Sequence, residues 1–304
     1  MSKTNKKKVR KWIIILFTFL LSIGGATFYM VYQGVAQSLH NMYAPLHKDK
    51  KTTEAKDIKN DPISILLLGI DERPGDNGRP DSMIVLTMNP KTKESTMVSI
   101  PRDTRVFMKA KNDYIKMNSS YTYGGIEGTI QTAEDFLNIP INYYVKVNMQ
   151  GFEDIIDTLG GITINNNFAF TLEGIHIDKG TQHLDGKVAL QYARMRKDDP
   201  RGDFGRQERQ REIIKQIIHE GTKLKSITNY QDILAILEKN VQTNISMEKM
   251  IDIQSSYKEA FEHIKQEEIK GIDKKVDGIW FHLITEENRH ILSQKLRKEM
   301  NLKD

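Results

Sequence analysis

Hydrophobic positions along the chain fall into three kinds of run. The first is Trp12 to Tyr32, WIIILFTFLLSIGGATFYMVY, 21 residues without a charge. At about 1.5 Å rise per residue, such a helix crosses a hydrocarbon core of about 30 Å. The second kind is short and apolar or alternating, and predicts strands. These are ISILLLGI (63–70), MIVLTM (83–88), STMVSI (95–100), YYVKVNM (143–149), ITINN (162–166), a piece near 175–177 and GIWFHLI (278–284). The third kind has helical spacing. It predicts helices over 127–138, 152–160, 185–196, 203–221, 229–240, 246–264 and 286–300. Strands and helices interleave from Pro62 onward, which argues for one layered α/β domain over 62–304. Residues 33–61 read as a polar linker, and no internal repeat is present.

Charge sharpens the reading of the first run. Lys3, Lys6, Lys7, Lys8, Arg10 and Lys11 precede it, and no Lys or Arg follows until Lys48. Cations on one flank predict a cytoplasmic tail (1–11), a signal anchor (12–32) and an exported body. A cleaved signal peptide is the competing reading, with Gly34-Val35-Ala36 as its small-residue site. The apolar run exceeds the roughly 7–15 residues of a secretory core, which favours the anchor. The six tail cations also account for the formal charge of +5, leaving 39 cations against 40 acids in the body. A near-neutral exported body argues against nucleic acid as a partner. The absence of cysteine excludes a disulfide scaffold, a thiol nucleophile and a Cys-ligated metal. No HExxH, GxSxG or GxxxxGK[ST] motif occurs.

Arginine is distributed differently from lysine. Ten of the 13 arginines lie in two clusters, while the lysines are scattered. The first cluster is Arg73, Arg79, Arg102 and Arg105; the second is Arg194, Arg196, Arg201, Arg206, Arg209 and Arg211. The fixed fork of a guanidinium suits carboxylate or phosphate. A surface ion-pair lattice is the plain alternative, since Asp198, Asp199, Asp203 and Glu208 are interleaved. If the strands 63–70, 83–88 and 95–100 are antiparallel neighbours, Asp71, Arg73, Arg79, Asp81, Arg102 and Asp103 converge at one sheet end. Two carboxylates among arginines can serve Mg²⁺ and phosphate together. Turn-forming aspartates in GIDERPGDNGRPD are the competing explanation.

The helix at 203–221 adds an angular clue. Taking Arg206 as origin and about 100° per residue, Ile213, Ile217 and Gln210 fall within about 40° of it. Arg206 and Gln210 therefore lie on the apolar stripe, with Arg209 at its edge. An inward arginine needs an anion, whether a ligand or an internal partner such as Asp199 or Asp203.

Taken together, LLLGIDERPGDNGRPDSMIVLTMNP (66–90), SIPRDT (99–104), IKMNSSYTYGG (115–125), VNMQGFEDIIDTLGGI (147–162) and HLDGKVALQYARMRKDDPRGDFGRQERQ (183–210) resemble the LytR–CpsA–Psr family of membrane-anchored cell-wall enzymes, and within it the teichoic-acid transferase group. Pro80 stands where many members carry Ser or Thr. The resemblance implies a three-layer α/β/α domain with a central mixed sheet and an apolar groove for a polyprenyl chain. It implies transfer of an anionic glycopolymer, wall teichoic acid above others, from a polyprenyl-diphosphate carrier to peptidoglycan. Hydrolysis of the diphosphate and attachment of capsular polysaccharide are the alternatives. The implied cofactor is Mg²⁺ or Mn²⁺ on Asp71 and Asp81. Arg79, Arg102, Arg194, Arg196 and Arg206 become the catalytic cations. Arg73, Lys116, Arg209 and Gln210 become substrate contacts, with Asp199 and Asp203 as further contacts and base candidates.

Topology is directly testable. A protease added to intact wall-less cells is expected to digest residues 62–304. Protection of the whole chain would put the domain on the inner side of the membrane.

Overall fold

The computed structural model describes residues 33–34, 37–38, 40–46, 57–72, 78–223 and 230–303. The expected span at 12–32 and Arg73 lie outside them. Among the described residues no helix is long and apolar enough to cross a membrane.

In chain order the first strands are β1 (Ile63–Ile70), β2 (Pro80–Asn89), β3 (Glu94–Ser99), β4 (Arg105–Met108) and β5 (Asp113–Lys116). Helix α1 (Ser119–Leu137), β6 (Tyr143–Asn148) and α2 (Met149–Thr158) follow. Next come β7 (Ile162–Asn166), β8 (Phe170–Leu172), β9 (Ile175–Ile177) and β10 (Gly180–Leu184). Then come α3 (Gly186–Arg194), α4 (Asp203–Lys223), α5 (Tyr230–Asn240), β11 (Val241–Thr243), α6 (Met247–Ser256) and α7 (Lys258–Glu262). Strands β12 (Ile264–Glu268), β13 (Ile272–Val276) and β14 (Ile279–Leu283) and helix α8 (Glu286–Glu299) close the fold.

The central sheet is mixed, in the order β11-β6-β1-β2-β3-β12. Strand β1 pairs antiparallel with β2 and parallel with β6, and β12 runs parallel to β3. Alternation along the strands buries both faces. Leu66, Leu68 and Ile70 of β1 and Met83 and Val85 of β2 face one apolar cluster, which α1 and α8 complete with Ile130, Ala133, Phe136, Leu292 and Leu296. Ile63 and Ile65 with Ile84, Leu86 and Met88 face a second cluster, closed by Ile253, Tyr257 and Ala260 of the α6–α7 region. Helices thus cover both faces of the sheet. A third cluster joins α2, α3 and β7–β10 around Ile156, Ile162, Leu184, Tyr192 and Met195, and Ile213 of α4 plugs it.

Several expectations need correction. The helix expected over 246–264 is two short helices and a strand. It breaks at Tyr257, a fully buried residue at φ −108°, ψ 11°, whose hydroxyl donates to the Asp61 carbonyl at 2.5 Å. Residues 264–268 then pair with β3 and satisfy the backbone groups on its outer edge, which a longer helix would leave unpaired. The helix expected from 127 starts at Ser119, with Gly125 at φ 59°, ψ −151° interrupting it. The hairpins β4–β5 and β13–β14 were not expected as such: β4, β5 and β13 are short or charged segments whose alternation is weak.

The linker expectation over 33–61 also changes. Met42 is buried, Tyr43 bridges Thr243 at the sheet edge, and the Ala44 carbonyl accepts from the Tyr144 hydroxyl at 2.7 Å. Leu46 packs on the first cluster and Ile58 on the second. In the described parts of this stretch, 40–46 and 57–61, a few apolar residues are enough to pack on the domain.

A pocket of arginines at the sheet end

Strands β1 and β2 deliver the first carboxylates. Gly69 pairs with Ser82 and Ile70 with Pro80, so Asp81 is the extra residue of a bulge. A bulge re-aims a side chain and bends the strand. Pro80 opens β2 at this irregularity, where its missing N–H costs no ladder bond. Asp71 follows β1 directly. Gly78 closes the loop back onto it: at φ +65°, a Cβ there would stand 2.5 Å from the Asp71 carbonyl oxygen.

Strand β3 returns to the same end, as expected, and hands over Pro101-Arg102-Asp103-Thr104. That turn is pinned on both sides. Thr104 N–H donates to Pro101 O, and Asn118 N–H donates to Arg102 O at 3.1 Å. Arg102 Nη1 donates to Asp81 Oδ1 at 2.5 Å and its Nε lies 3.7 Å from Asp103 Oδ2. Lys116, the last residue of β5, donates to Asp103 Oδ1 at 2.7 Å. Ion pairing with Asp81 and Asp103 outweighs burial and raises the Arg102 pKa.

The second arginine cluster arrives from α3, α4 and the loop between them. Four of its members, Arg194, Arg196, Arg201 and Arg206, line a cavity of about 930 Å³ together with Pro101, Arg102 and Asp103. Arg194 on the rim lies 3.3 Å from Glu173, and Arg196 Nε lies 3.6 Å from Asp203. Arg206 is only 7% exposed. Its Nη2 stands 2.6 Å from Asp203 Oδ1, while its Nε is buried without an acceptor. Burial lowers the Arg206 pKa, and the neighbouring Arg102 and Arg196 charges push the same way, against Asp203 and Asp81. Asp203 Oδ2 also accepts from Gln207 Nε2 at 2.7 Å.

Arg209 and Asp199 do something different. The Asp199 side chain is 1% exposed and takes Arg209 Nη1 on Oδ2 and the Arg201 N–H on Oδ1. Arg209 further donates to the carbonyls of Tyr192 and Met195. The carboxylate lies so close to Gly205 that any side chain there would displace it. These two residues, expected at substrate, are closed on one another. Gln210 turns to the Ala193 carbonyl at 3.4 Å, outside the residues lining the cavity. Arg79 is exposed near Asp71 and Asp81 in sequence but does not line the cavity. Arg211, a buried arginine with no expected role, donates to Ser99 Oγ at 2.8 Å and Gln266 Oε1 at 3.0 Å, fastening α4 to β3 and β12.

Asp71 and Asp81, the carboxylates expected to hold a metal, stand at this sheet end, with Asp81 paired to Arg102 and neither among the residues lining the cavity. Mg²⁺ keeps several waters and is commonly held by one or two carboxylates plus substrate phosphate. Among the described residues no group of three or more His, Cys, Asp or Glu forms a metal cage.

Sequence reasoning missed the hairpin side of the cavity. Asp273 and His282 line it as a cross-strand pair, with His282 Nδ1 2.8 Å from Asp273 Oδ1. The His282 N–H donates to the Asp103 carbonyl at 2.8 Å, and Phe204 meets its ring edge-on. The only sequence signal was the position of His282 inside GIWFHLI.

Comparison with known proteins gives consistent matches. The LytR_cpsA_psr family model matches residues 29–298. The chain is 46% identical over 301 residues, 98% of both chains, to "Polyisoprenyl-teichoic acid--peptidoglycan teichoic acid transferase TagU" of Bacillus licheniformis. The crystal structure of Bacillus subtilis TagU superposes with a TM-score of 0.65 at 44% identity, covering 81% of this chain and 99% of that one. A structure described as TagT bound to LI-WTA superposes with a TM-score of 0.72 at 26% identity, covering 86% of this chain and 100% of the other.

The two arginine types should respond differently to truncation. Arg209→Ala leaves Asp199 buried and uncompensated, and is expected to cost about 3–5 kcal/mol of folding stability. Arg196→Ala, at an exposed pair, is expected to cost about 1 kcal/mol or less. Urea unfolding of both variants checks this; equal losses would contradict the assignment.

Proposed function

The chain belongs to the LytR_cpsA_psr family, and from that premise we propose that it transfers teichoic acid from a polyprenyl-diphosphate carrier to peptidoglycan. It is a transferase of cell-wall assembly. The near-complete overlap with relatives named for that activity supports the reaction class. The observation that carries it in this chain is Arg206: a buried guanidinium crowded by Arg102 and Arg196, with one donor unused. Such a group favours an anion with several oxygens, which a diphosphate provides.

In the reaction, an acceptor hydroxyl oxygen bonds to the polymer-side phosphorus and its proton passes to solvent water. The bridging P–O bond breaks, and the lipid monophosphate leaves with the electron pair. Charge grows on the phosphoryl oxygens, and fixed donors aimed at them lower the barrier. Arg102, Arg194, Arg196 and Arg206 supply those donors, and Lys116 holds Asp103 beside Arg102. Arg79, exposed at the same sheet end, and Arg73 are further cations for the diphosphate in this reading. Asp71 and Asp81 would hold Mg²⁺ or Mn²⁺, which supplies neutralisation of the diphosphate charge. Asp199 and Arg209 position the α3–α4 loop. Asp203 orients Arg196 and Arg206. The basic tail and the 12–32 span anchor the chain in the membrane, with the domain outside, next to carrier and wall. Capsular polysaccharide would use the same phosphate contacts, and water in place of the acceptor gives hydrolysis.

Incubating the full chain with polyprenyl-diphosphate-linked teichoic acid and uncrosslinked glycan strands, then weighing the products, separates transfer from hydrolysis. A polymer–glycan conjugate is expected; free polymer phosphate as the sole product would replace transfer by hydrolysis. In that assay Arg206→Lys keeps the charge and loses the fork. Turnover is expected to fall at least tenfold with the melting temperature nearly unchanged. A large thermal loss with turnover spared would make Arg206 a structural ion pair.

Mg²⁺ binding can be read without activity. A ligand at about 100 times its Kd stabilises by about 2.7 kcal/mol. Mg²⁺ is expected to raise the melting temperature of the parent chain and not that of Asp71→Ala. An equal rise in both would remove Asp71 from the metal site.

A further inference from the structure

Among the described residues the large exposed apolar side chains are Tyr, Phe and Ile apart from Trp280, an indole standing 61% exposed on β14. No ring or hydrogen-bond partner engages it among the described residues. Its place is specific. Strands β13 and β14 pair Lys275 with Trp280 and Asp273 with His282. Residues two apart along a strand share a face. Trp280 therefore stands on the same face as His282, about 7 Å further out along the strand. The Asp273–His282 rung lines the arginine cavity, and past Lys274–Phe281 the Lys275–Trp280 rung is the next on the same face. The hairpin is fixed at its inner end, where Thr104 bridges His282 and the Asp103 carbonyl accepts the His282 N–H.

We infer that the β13–β14 hairpin is the acceptor platform of this enzyme, with the Trp280 indole stacking on a pyranose ring of the incoming glycan strand. This rests on the transferase reading above. The C–H face of a pyranose is apolar and slightly positive, and it complements the negative face of an indole. Displacement at phosphorus is roughly in line, so entering and leaving oxygens occupy opposite sides. The Arg194, Arg196 and Arg206 side of the cavity grips phosphate. The hairpin side presents Asp273 and His282 at its inner rung, which suits sugar hydroxyls better than a diphosphate. The polar neighbours of Trp280 on its face, Asp273, Lys275 and His282, and the acidic Asp277 at the hairpin tip favour glycan over a lipid surface.

Trp12 and Trp280 are the two tryptophans of the chain, so Trp12→Phe leaves Trp280 as the sole indole reporter. In that background, full-length protein in detergent is titrated with uncrosslinked peptidoglycan strands. A saturable change in Trp280 emission is expected with the strands, and none with the polyprenyl-diphosphate polymer. A change with the polymer instead would put donor sugar on the indole and overturn the assignment. In the transfer assay Trp280→Ala is expected to raise the acceptor KM about tenfold while kcat at saturating acceptor and the donor KM stay, with Trp280→Tyr restoring most of the loss. An unchanged acceptor KM overturns the platform. Reconstitution into vesicles of brominated phosphatidylcholine provides the remaining arm: unquenched Trp280 is expected, and quenching would make the hairpin a membrane contact. If the parent chain forms no conjugate at all, it is the transferase reading that fails, and the emission titration still tests whether Trp280 meets glycan.

Discussion

The Arg209 guanidinium reaches from α4 to the end of α3 and the loop that follows it, and binds three groups. These are the Asp199 carboxylate and the carbonyls of Tyr192 and Met195. Carbonyls at the end of a helix have no intrahelical partner, and a buried loop must satisfy its own backbone. One side chain meets both needs. It also fixes the distance between α3, which carries Arg194, and the first turns of α4, which carry Asp203 and Arg206. Gly205 allows the clasp because the Asp199 carboxylate fills the space a Cβ would take. Buried ion pairs contribute little net stability once desolvation is counted, but breaking one is costly. The clasp thus gives the loop one geometry more than it gives the fold extra stability.

The sheet was legible because its strands obey simple patterning. Both faces are covered, so β1, β2 and β3 read as nearly continuous apolar runs, and their antiparallel order places Asp71, Asp81 and Arg102 at one end as expected. The helical angles placed Arg206 and Gln210 inward, and both are wholly or partly buried. What angles could not distinguish was the kind of anion each inward arginine meets. Arg206 and Arg209 differ by three positions, and periodicity treats them alike. The difference arises from Asp199 and Asp203, whose loop conformation is set by tertiary packing. The hairpins were illegible for a related reason: β13 reads IDKKV, an exposed charged strand whose pairing depends on β14 and on Thr104.

The site is built from ion pairs, which at first sight argues against a free phosphate grip. Asp81 holds Arg102, Asp203 holds Arg196 and Arg206, and Glu173 faces Arg194. A guanidinium has five donors, however, and one carboxylate uses two at most in a fork. The carboxylates therefore orient the arginines before substrate arrives and leave donors over, of which the Arg206 Nε is the clearest case. A lysine ammonium in the same place would lose its direction, because its donors rotate and its stem has more freedom. This accounts for the division of labour in the composition. Lysines are spread over the surface, and arginines are concentrated where direction matters.

Orientation without substrate also bears on the choice between transfer and hydrolysis. In the proposed reaction the arginines would act on the phosphate whichever nucleophile attacks, so they would not favour a sugar hydroxyl over water. Water is small and abundant, and it needs no binding site. An acceptor hydroxyl competes only if binding raises its local concentration and fixes its approach, an advantage that intramolecular chemistry measures in several kcal/mol. The phosphate grip and the preference for transfer must then come from different parts of the molecule. In the proposed reaction the grip comes from the turn after β3 and from α3 and α4, which carry the motifs that resemble the family. The preference has to come from a surface that meets the glycan, and that surface must be rigidly joined to the grip. The backbone bond from His282 to Asp103 makes that join, since Asp103 is next to Arg102 in the chain and paired to Lys116.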